Sequence, residues 1–203
     1  MNDDYDFDGV CARPTIETRY QEIIKSGMRP LIIDCGANIG ASCAYFGIRY
    51  PDALVIGLEL APENAKLAKE NTEKFMNDTV LNQAIGPKSK VVGYTNPDLG
   101  TYDAFRVDEN NVTDNPIPVV TMGEVLANND GTVPFIAKID IEGFEQQLFS
   151  ESTGWMSEFE LISVEIHDWM LPGQSISNSF VQAHASFKRD LYIHRDTLVS
   201  VKT

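Results

Sequence analysis

The sequence predicts an α/β chain organised around half of a doubly wound, mostly parallel sheet. Three observations predict it. Apolar strand-length runs alternate with amphipathic segments in the order β-α-β-α-β from Leu31 to Ile85. The first run, Leu31-Ile32-Ile33-Asp34-Cys35, passes through the turn Gly36-Ala37-Asn38-Ile39-Gly40 into a small-residue helix, the opening unit of an open sheet. The apolar runs end in polar residues: Asp34, Glu59, Asn82, Asp140 with Glu142, and Glu165 with His167.

Residues 1–14 are polar and acidic and are expected to be flexible. From Thr15 to Ser26, Ile16, Tyr20, Ile23 and Ile24 recur near helical spacing and Gly27 follows as a stop, so 15–29 reads as an N-terminal helix leading into the first strand. Pro30 limits that strand, and its unbroken apolar run calls for burial on both faces. Gly36 allows a sharp backbone turn, and Gly40 lets the next helix sit close to a ligand. That helix runs to about Tyr50, where Pro51 stops it. Ala53–Leu58 is the second strand, closed by Glu59. Pro62 suits a first helical position, and the helix to Phe75 carries Glu70 and Lys74 four residues apart. Thr79–Ile85 reads as the third strand.

Beyond Gly86 and Pro87 the pattern changes. Lys90–Tyr94 and Tyr102–Val107 read as a hairpin across the turn-rich Asn96–Gly100. Asp108 to Pro118 reads as a polar loop, either a lid or a tolerated insertion. Thr121 can cap a short helix through Leu126, with Glu124 at its third position. Val133–Gly143 is a strand running into a turn, followed by a helix Phe144–Phe149 and a strand Phe159–His167. Ile176, Phe180, Ala183 and Phe187 share one helical face. Leu191–Ile193 and Leu198–Val201 then close the sheet as a hairpin around His194-Arg195-Asp196.

At 203 residues the chain is most simply one domain, 43% hydrophobic and 23% charged. Sixteen basic against thirty acidic residues give a formal charge of −14, which repels nucleic acid and anionic membrane and argues against both as partners. Cys11, Cys35 and Cys43 show no metal-ligand spacing and are odd in number, so a disulfide framework is not expected. The acidic start carries no signal peptide and no run reaches membrane-span length, which together point to a cytoplasmic protein. Glycosylation patterns at Asn77 and Asn111 carry little meaning in that setting.

The glycine turn also excludes. A dinucleotide fold needs G-x-G-x-x-G, whose middle glycine lets a pyrophosphate touch backbone; Asn38 holds that position here. The lysine and Ser/Thr of a P-loop are absent. What remains fits a nucleoside without phosphates: open backbone amides, a polar Asn38, and Glu59. That acid lies 23 residues beyond Gly36, near the offset at which such folds set a carboxylate against a ribose diol. S-adenosylmethionine is the candidate cofactor, with a ligand-free βα turn as the alternative.

Side chains alternate along a strand, so Asp140 can share a face with Glu142, and Glu165 with His167. If those strands are neighbours, three carboxylates and an imidazole meet above the sheet, where ligands of such folds bind. Methyl transfer to a hydroxyl needs donor and acceptor held in line and a group to accept the hydroxyl proton, which a carboxylate or neutral histidine can do. The same four residues also suit Mg²⁺ or Mn²⁺, although nothing in their spacing demands an ion, and the reading adopted has no metal. His184 and His194 read as structural, as do Trp155 and Trp169, although Trp169, two residues past His167, can wall a pocket.

Ile33–Gly40, Lys138-Ile139-Asp140-Ile141-Glu142-Gly143-Phe144-Glu145 and the strand end Glu165-Ile166-His167 together resemble the FkbM family of S-adenosylmethionine-dependent methyltransferases. Val119–Leu126 is similar to the linker before that family's second signature. The resemblance implies a class I methyltransferase (Rossmann-like) fold in one domain, 1–203: a doubly wound, mostly parallel seven-stranded sheet with an antiparallel last strand. It implies methyl transfer to a hydroxyl of a small molecule or sugar. It sets Asp34, Gly36, Asn38 and Gly40 around the methionine part of the cofactor, Glu59 on its ribose, and Asn82 and Ala84 beside adenine. Asp140, Glu142 and His167 would line the acceptor side as catalytic residues. Two departures from the family pattern stand out: Phe144 where a small residue is common, and Leu60 where a proline often follows the acid. Substrate recognition is expected to rest on residues 93–118 or on a partner. Two further readings stand beside it: a catalytically silent S-adenosylmethionine-binding scaffold, and a nicotinamide-dependent oxidoreductase, the latter disfavoured by Asn38.

Overall fold

Alternate residues of the first strand enter two different cores. Ile32 packs with Val55, Phe46 and Phe135 on one face, while Leu31, Ile33 and Cys35 pack with Leu58, Ile139 and Phe180 on the other. That two-sided burial is why the strand is apolar without a break. The computed structural model describes residues 11, 13–75, 77–95, 105–108 and 116–203.

The helices are α1 (Pro14–Lys25), α2 (Ala41–Arg49), α3 (Pro62–Thr72), α4 (Met122–Ala127), α5 (Glu145–Leu148) and α6 (Ser177–His184). The strands are β1 (Arg29–Cys35), β2 (Leu54–Leu58), β3 (Asp78–Leu81), β4 (Ala84–Ile85), β5 (Lys90–Thr95), β6 (Arg106–Asp108), β7 (Ile117–Val120), β8 (Thr132–Ile139), β9 (Leu161–Glu165), β10 (Arg189–His194) and β11 (Thr197–Lys202). Helices α1–α3 cover one face of the main sheet through residues such as Tyr20, Phe46 and Ala68. Helices α4–α6 cover the other through Met122, Leu148 and Phe180.

The main sheet has seven strands in the order β10-β11-β9-β8-β1-β2-β3. Its pairings from β3 to β9 are parallel, and β11 runs antiparallel between β9 and β10. This is the class I methyltransferase arrangement. The strand order reverses on either side of β1, so β1 and β8 open a crevice at their carboxyl ends. Pro14 starts α1 and Pro62 starts α3, positions where a missing N–H costs nothing. The expected capping box is present: Thr121 accepts from the Glu124 N–H, and Glu124 accepts from the Thr121 N–H. Thr121→Ala is expected to cost about 1 kcal/mol, measured as a lower urea midpoint with an unchanged slope.

Two expectations need correction. Thr79–Ile85 is not one strand: β3 ends at Leu81 and β4 belongs to a second, four-stranded sheet of order β4-β7-β5-β6. The break falls at Asn82, whose amide turns back to donate to the Glu59 and Leu60 carbonyls. The stretch 108–118 is not all loop. Asp108 ends β6, and Ile117 enters β7 because Ile117 and Val119 bury against Ala84 and Val92. Of the stretch 1–14 expected to be flexible, Cys11 is fully buried and Pro14 begins α1, and residues 1–10 and 12 lie outside the described residues. The expected turn Asn96–Gly100, the strand residues 102–104 and most of the expected loop lie outside the described residues. The two described arms of the expected hairpin do pair, Tyr94 opposite Val107. None of Cys11, Cys35 and Cys43 is in a disulfide. Among the described residues no helix is long and apolar enough to cross a membrane.

Candidate active site

The crevice begins at the turn after β1. Gly36 has φ +82°, and a Cβ there would lie 1.7 Å from the Asp140 carbonyl oxygen. Only glycine fits, because the ends of β1 and β8 touch backbone to backbone. The Gly36 and Ala37 N–H groups donate to the Leu58 carbonyl, 2.9 and 3.0 Å away, which ties the turn to the end of β2. Glu59 follows immediately. Its carboxylate accepts from the Asn38 N–H and the Ala61 N–H, each at 2.7 Å. Burial pushes the Glu59 pKa up, opposed by those two backbone donors. Asn38 itself adopts φ +47° and accepts from the Asn64 side chain at 3.0 Å. The acid therefore faces the glycine turn across a few ångströms.

The crevice encloses about 570 Å³, counting space open to solvent. Gly36, Asn38 and Glu59 line it together with Asp140 and Glu142. With them stand Leu58, Leu60, Gln83, Ala84, Ile85 and Phe144, with Phe105 and Val107 from β6 and the residue before it. Leu60 and Phe144, the two departures from the family pattern, are thus both in the wall. Residues 105 and 107, from the stretch expected to recognise substrate, are there as well.

Three expected cofactor residues sit elsewhere. Asp34 is fully buried and accepts from Ser42 Oγ and from Cys43 Sγ at 3.2 Å. Lys138, also buried, reaches Asp34 Oδ1 at 3.2 Å, Asp140 Oδ2 at 3.1 Å and the Gly36 carbonyl at 3.2 Å. Burial opposes the lysine's charge, but Asp140 and Asp34 more than offset it and raise its pKa above the usual range. Asp34 and Lys138 thus support the turn from beneath. Gly40 packs against the backbone of Ala68, bringing α2 close to α3. Asn82 holds the end of β2, and its neighbour Gln83 lines the crevice instead.

At the acidic end, β8 and β9 are neighbours and bring the four expected residues together. His167 is buried, and its Nε2 lies 3.7 Å from Asp140 Oδ1, Glu142 Oε2 and Glu165 Oε1 alike. Its Nδ1 is 2.8 Å from Glu145 Oε1, which also accepts from the Ile141 N–H at 3.1 Å. Burial pushes Glu142 up to about 7, with His167 opposing, and pushes Glu165 up to about 7 with Asp140 adding to it. For His167 burial favours the neutral ring, but the Glu145 hydrogen bond and the surrounding carboxylates outweigh it and raise the pKa to about 9. Glu142 sits at φ +54°, a left-handed conformation uncommon for a non-glycine residue, and lines the crevice with Asp140.

Sequence reasoning passed over Lys138, Glu145 and Gln83. Lys138 was visible as a charge inside the apolar run Phe135–Ile139, which a two-sided buried strand tolerates only with a partner. Glu145 looked like an ordinary first-turn acid. Trp155 packs against Phe149 and Phe159 as expected, whereas Trp169 is 71% exposed and is not a packed aromatic. His184 packs at a tilt against Phe180, ring centroids 5.9 Å apart.

A sequence profile of the methyltransferase FkbM domain matches residues 34–192, most of the chain and the whole of this crevice. The chain belongs to the FkbM methyltransferase family. Comparison with curated protein sequences gives no match. Among solved structures, this FkbM methyltransferase is similar to monomeric WbdD at 12% identity and a TM-score of 0.50, over 97% of this chain and 43% of that one. A precorrin-6y C5,15-methyltransferase from Geobacter metallireducens GS-15 matches at 10% identity and TM-score 0.49, over 92% and 88% of the two chains. Magnesium protoporphyrin IX methyltransferase from Synechocystis PCC 6803, solved with bound SAM, matches at 12% identity and TM-score 0.43, over 96% and 81%.

Proposed function

We propose that this FkbM methyltransferase transfers the methyl group of S-adenosylmethionine to a hydroxyl of a small molecule or sugar. One observation carries the reading: Glu59, hydrogen-bonded to the glycine turn, lines the same crevice as Asp140 and Glu142, whose carboxylates stand 3.7 Å from His167. The carboxylate of Glu59 takes the ribose diol. Gly36 and Asn38 line the methionine end, and Gln83, Ala84 and Ile85 line the adenine end. The apolar walls exclude water from the sulfonium, which would otherwise be solvated away from its acceptor.

The transfer breaks the C–S bond as the hydroxyl oxygen forms a C–O bond to the same carbon, and the sulfur keeps the bonding pair. The hydroxyl proton must leave toward the acidic wall. Asp140 is bound to Lys138 and His167 to Glu145, whereas Glu142 lines the crevice with no hydrogen bond to its carboxylate among the described residues. Glu142 takes the proton, while Asp140 and His167 orient the acceptor.

Calorimetry tests the cofactor half. Wild-type protein is expected to bind S-adenosylmethionine, and Glu59→Gln to bind it at least about tenfold more weakly, since an amide sets a donor against one of the two backbone N–H groups that the carboxylate accepts. Silence in the wild-type titration at high micromolar ligand would remove the reading. Labelled-cofactor assays against sugar and polyketide-like hydroxyls test the acceptor half. Cofactor binding without transfer to any of them would favour the silent scaffold.

A further inference from the structure

We propose that Asp140, Glu165 and His167 hold a divalent cation of the magnesium–manganese class at the acidic end of the crevice. The ion would receive the acceptor's hydroxyl oxygen; only that last role rests on the methyl-transfer reading above.

The first observation is the spacing. One ligand atom from each of the three residues lies within 4.8 Å of the other two. His167 Nε2 stands 3.7 Å from Asp140 Oδ1 and from Glu165 Oε1. That is too long for a hydrogen bond. It is a few tenths of an ångström longer than the roughly 3.0 Å between adjacent ligands about 2.1 Å from an octahedral ion, a gap that small side-chain rotations close.

The second observation concerns the imidazole. His167 is 1% exposed, and Nε2 makes no hydrogen bond although three carboxylates surround it. On the ring's other side Nδ1 donates to Glu145, itself buried and fixed by the Ile141 N–H. A carboxylate that holds one ring nitrogen and aims the other at an oxygen-rich cluster is the outer support that metal-bound histidines use. Glu145 is therefore a positioning residue.

The third is charge. Asp140, Glu142, Glu145 and Glu165 crowd one imidazole, and of these four Lys138, which also pairs with Asp34, engages Asp140 through its far oxygen. A dication at the common point neutralises the two carboxylates nearest it, and its binding expels to solvent the proton that those carboxylates otherwise keep on Nε2. Two carboxylates and one imidazole are hard, oxygen-dominated ligands, which favours Mg²⁺ or Mn²⁺ over softer ions. Three protein ligands leave coordination positions for water and for a hydroxyl oxygen. A hydroxyl bound there gives up its proton more readily, and Glu142, which is outside the three-ligand set, is the acceptor of that proton.

The test uses Mn²⁺ as the probe on chelator-stripped full-length protein, with the free-ion electron paramagnetic resonance signal as readout. The wild type is expected to bind one Mn²⁺ per chain. Glu165→Gln, a partly exposed site at which folding survives, is expected to weaken binding at least about tenfold, and Glu145→Gln by about 10–100-fold. Glu59→Gln should leave it unchanged. Wild-type protein that leaves the Mn²⁺ signal intact at millimolar ion, or Glu165→Gln binding as tightly as wild type, overturns the proposal. S-adenosylmethionine calorimetry on the same samples separates the two readings: cofactor binding without Mn²⁺ binding removes the ion alone, and Mn²⁺ binding without cofactor binding removes the cofactor alone.

Discussion

Exchanging Lys138 for methionine is expected to destabilise the fold by about 3–5 kcal/mol, the usual cost of leaving a buried charge without its partner. Methionine keeps most of the lysine's volume, so the loss is electrostatic rather than a cavity. Asp34 is fully buried, and its Oδ1 has no aligned hydrogen bond, so the ion pair to Lys138 at 3.2 Å is what compensates that oxygen. Ser42 and Cys43 serve only Oδ2. A loss of this size is a large fraction of the roughly 5–15 kcal/mol that holds an ordinary domain together. Urea unfolding of Lys138→Met, Asp34→Asn and the double variant measures it. The double variant is expected to be more stable than Lys138→Met alone, because removing the acid removes the stranded charge. Additive losses in that cycle would mean that the two side chains act independently, and the account of the turn's support would fail.

That ion pair also shows where the sequence stops being informative. The strand-end rule places functional groups because it depends on one local fact, the carboxyl end of a parallel strand. Gly36, Asn38, Glu59, Ala84, Asp140 and Glu142 all do line the crevice. His167 meets Asp140, Glu142 and Glu165 because β8 and β9 turn out to be neighbours, a condition the sequence could only pose. Asp34 obeys the same pattern yet faces inward, because its partner arrives from β8, 104 residues further on. Gln83 displaces Asn82 from the wall because Asn82 is occupied by two carbonyls of a different loop. The small sheet was hardest to read. Its strands are short, β4 pairs with β7 across more than thirty residues, and no local periodicity records a partner so far away. Glu145 was hidden for a related reason: a first-turn acid is common, and only the position of His167 gives this one a task.

Gly36→Ala is expected to abolish cofactor binding and to cost about as much stability as the loss of Lys138. Two effects add. At φ +82° an alanine pays the left-handed penalty of about 1–2 kcal/mol. Its Cβ would also lie 1.7 Å from the Asp140 carbonyl oxygen, which is backbone and cannot rotate away. Reaching even a close C···O contact of about 3.3 Å means moving one strand end by roughly 1.5 Å. The Asp140 N–H bond to the Cys35 carbonyl, 3.0 Å long, lies directly in that path. So does the approach of Asp140 and Glu142 to the cofactor end of the crevice, since Gly36 is the point at which the two halves touch. Gly27 supplies the control. It has nearly the same dihedral, φ +80°, with nothing within 4 Å of an added Cβ, so Gly27→Ala incurs the backbone penalty alone. Calorimetry and urea melts of the two variants together separate strain from contact. If Gly36→Ala loses no more stability than Gly27→Ala and still binds S-adenosylmethionine, the close passage of β1 past β8 does not govern the site, and the geometry linking cofactor and acceptor must be sought elsewhere.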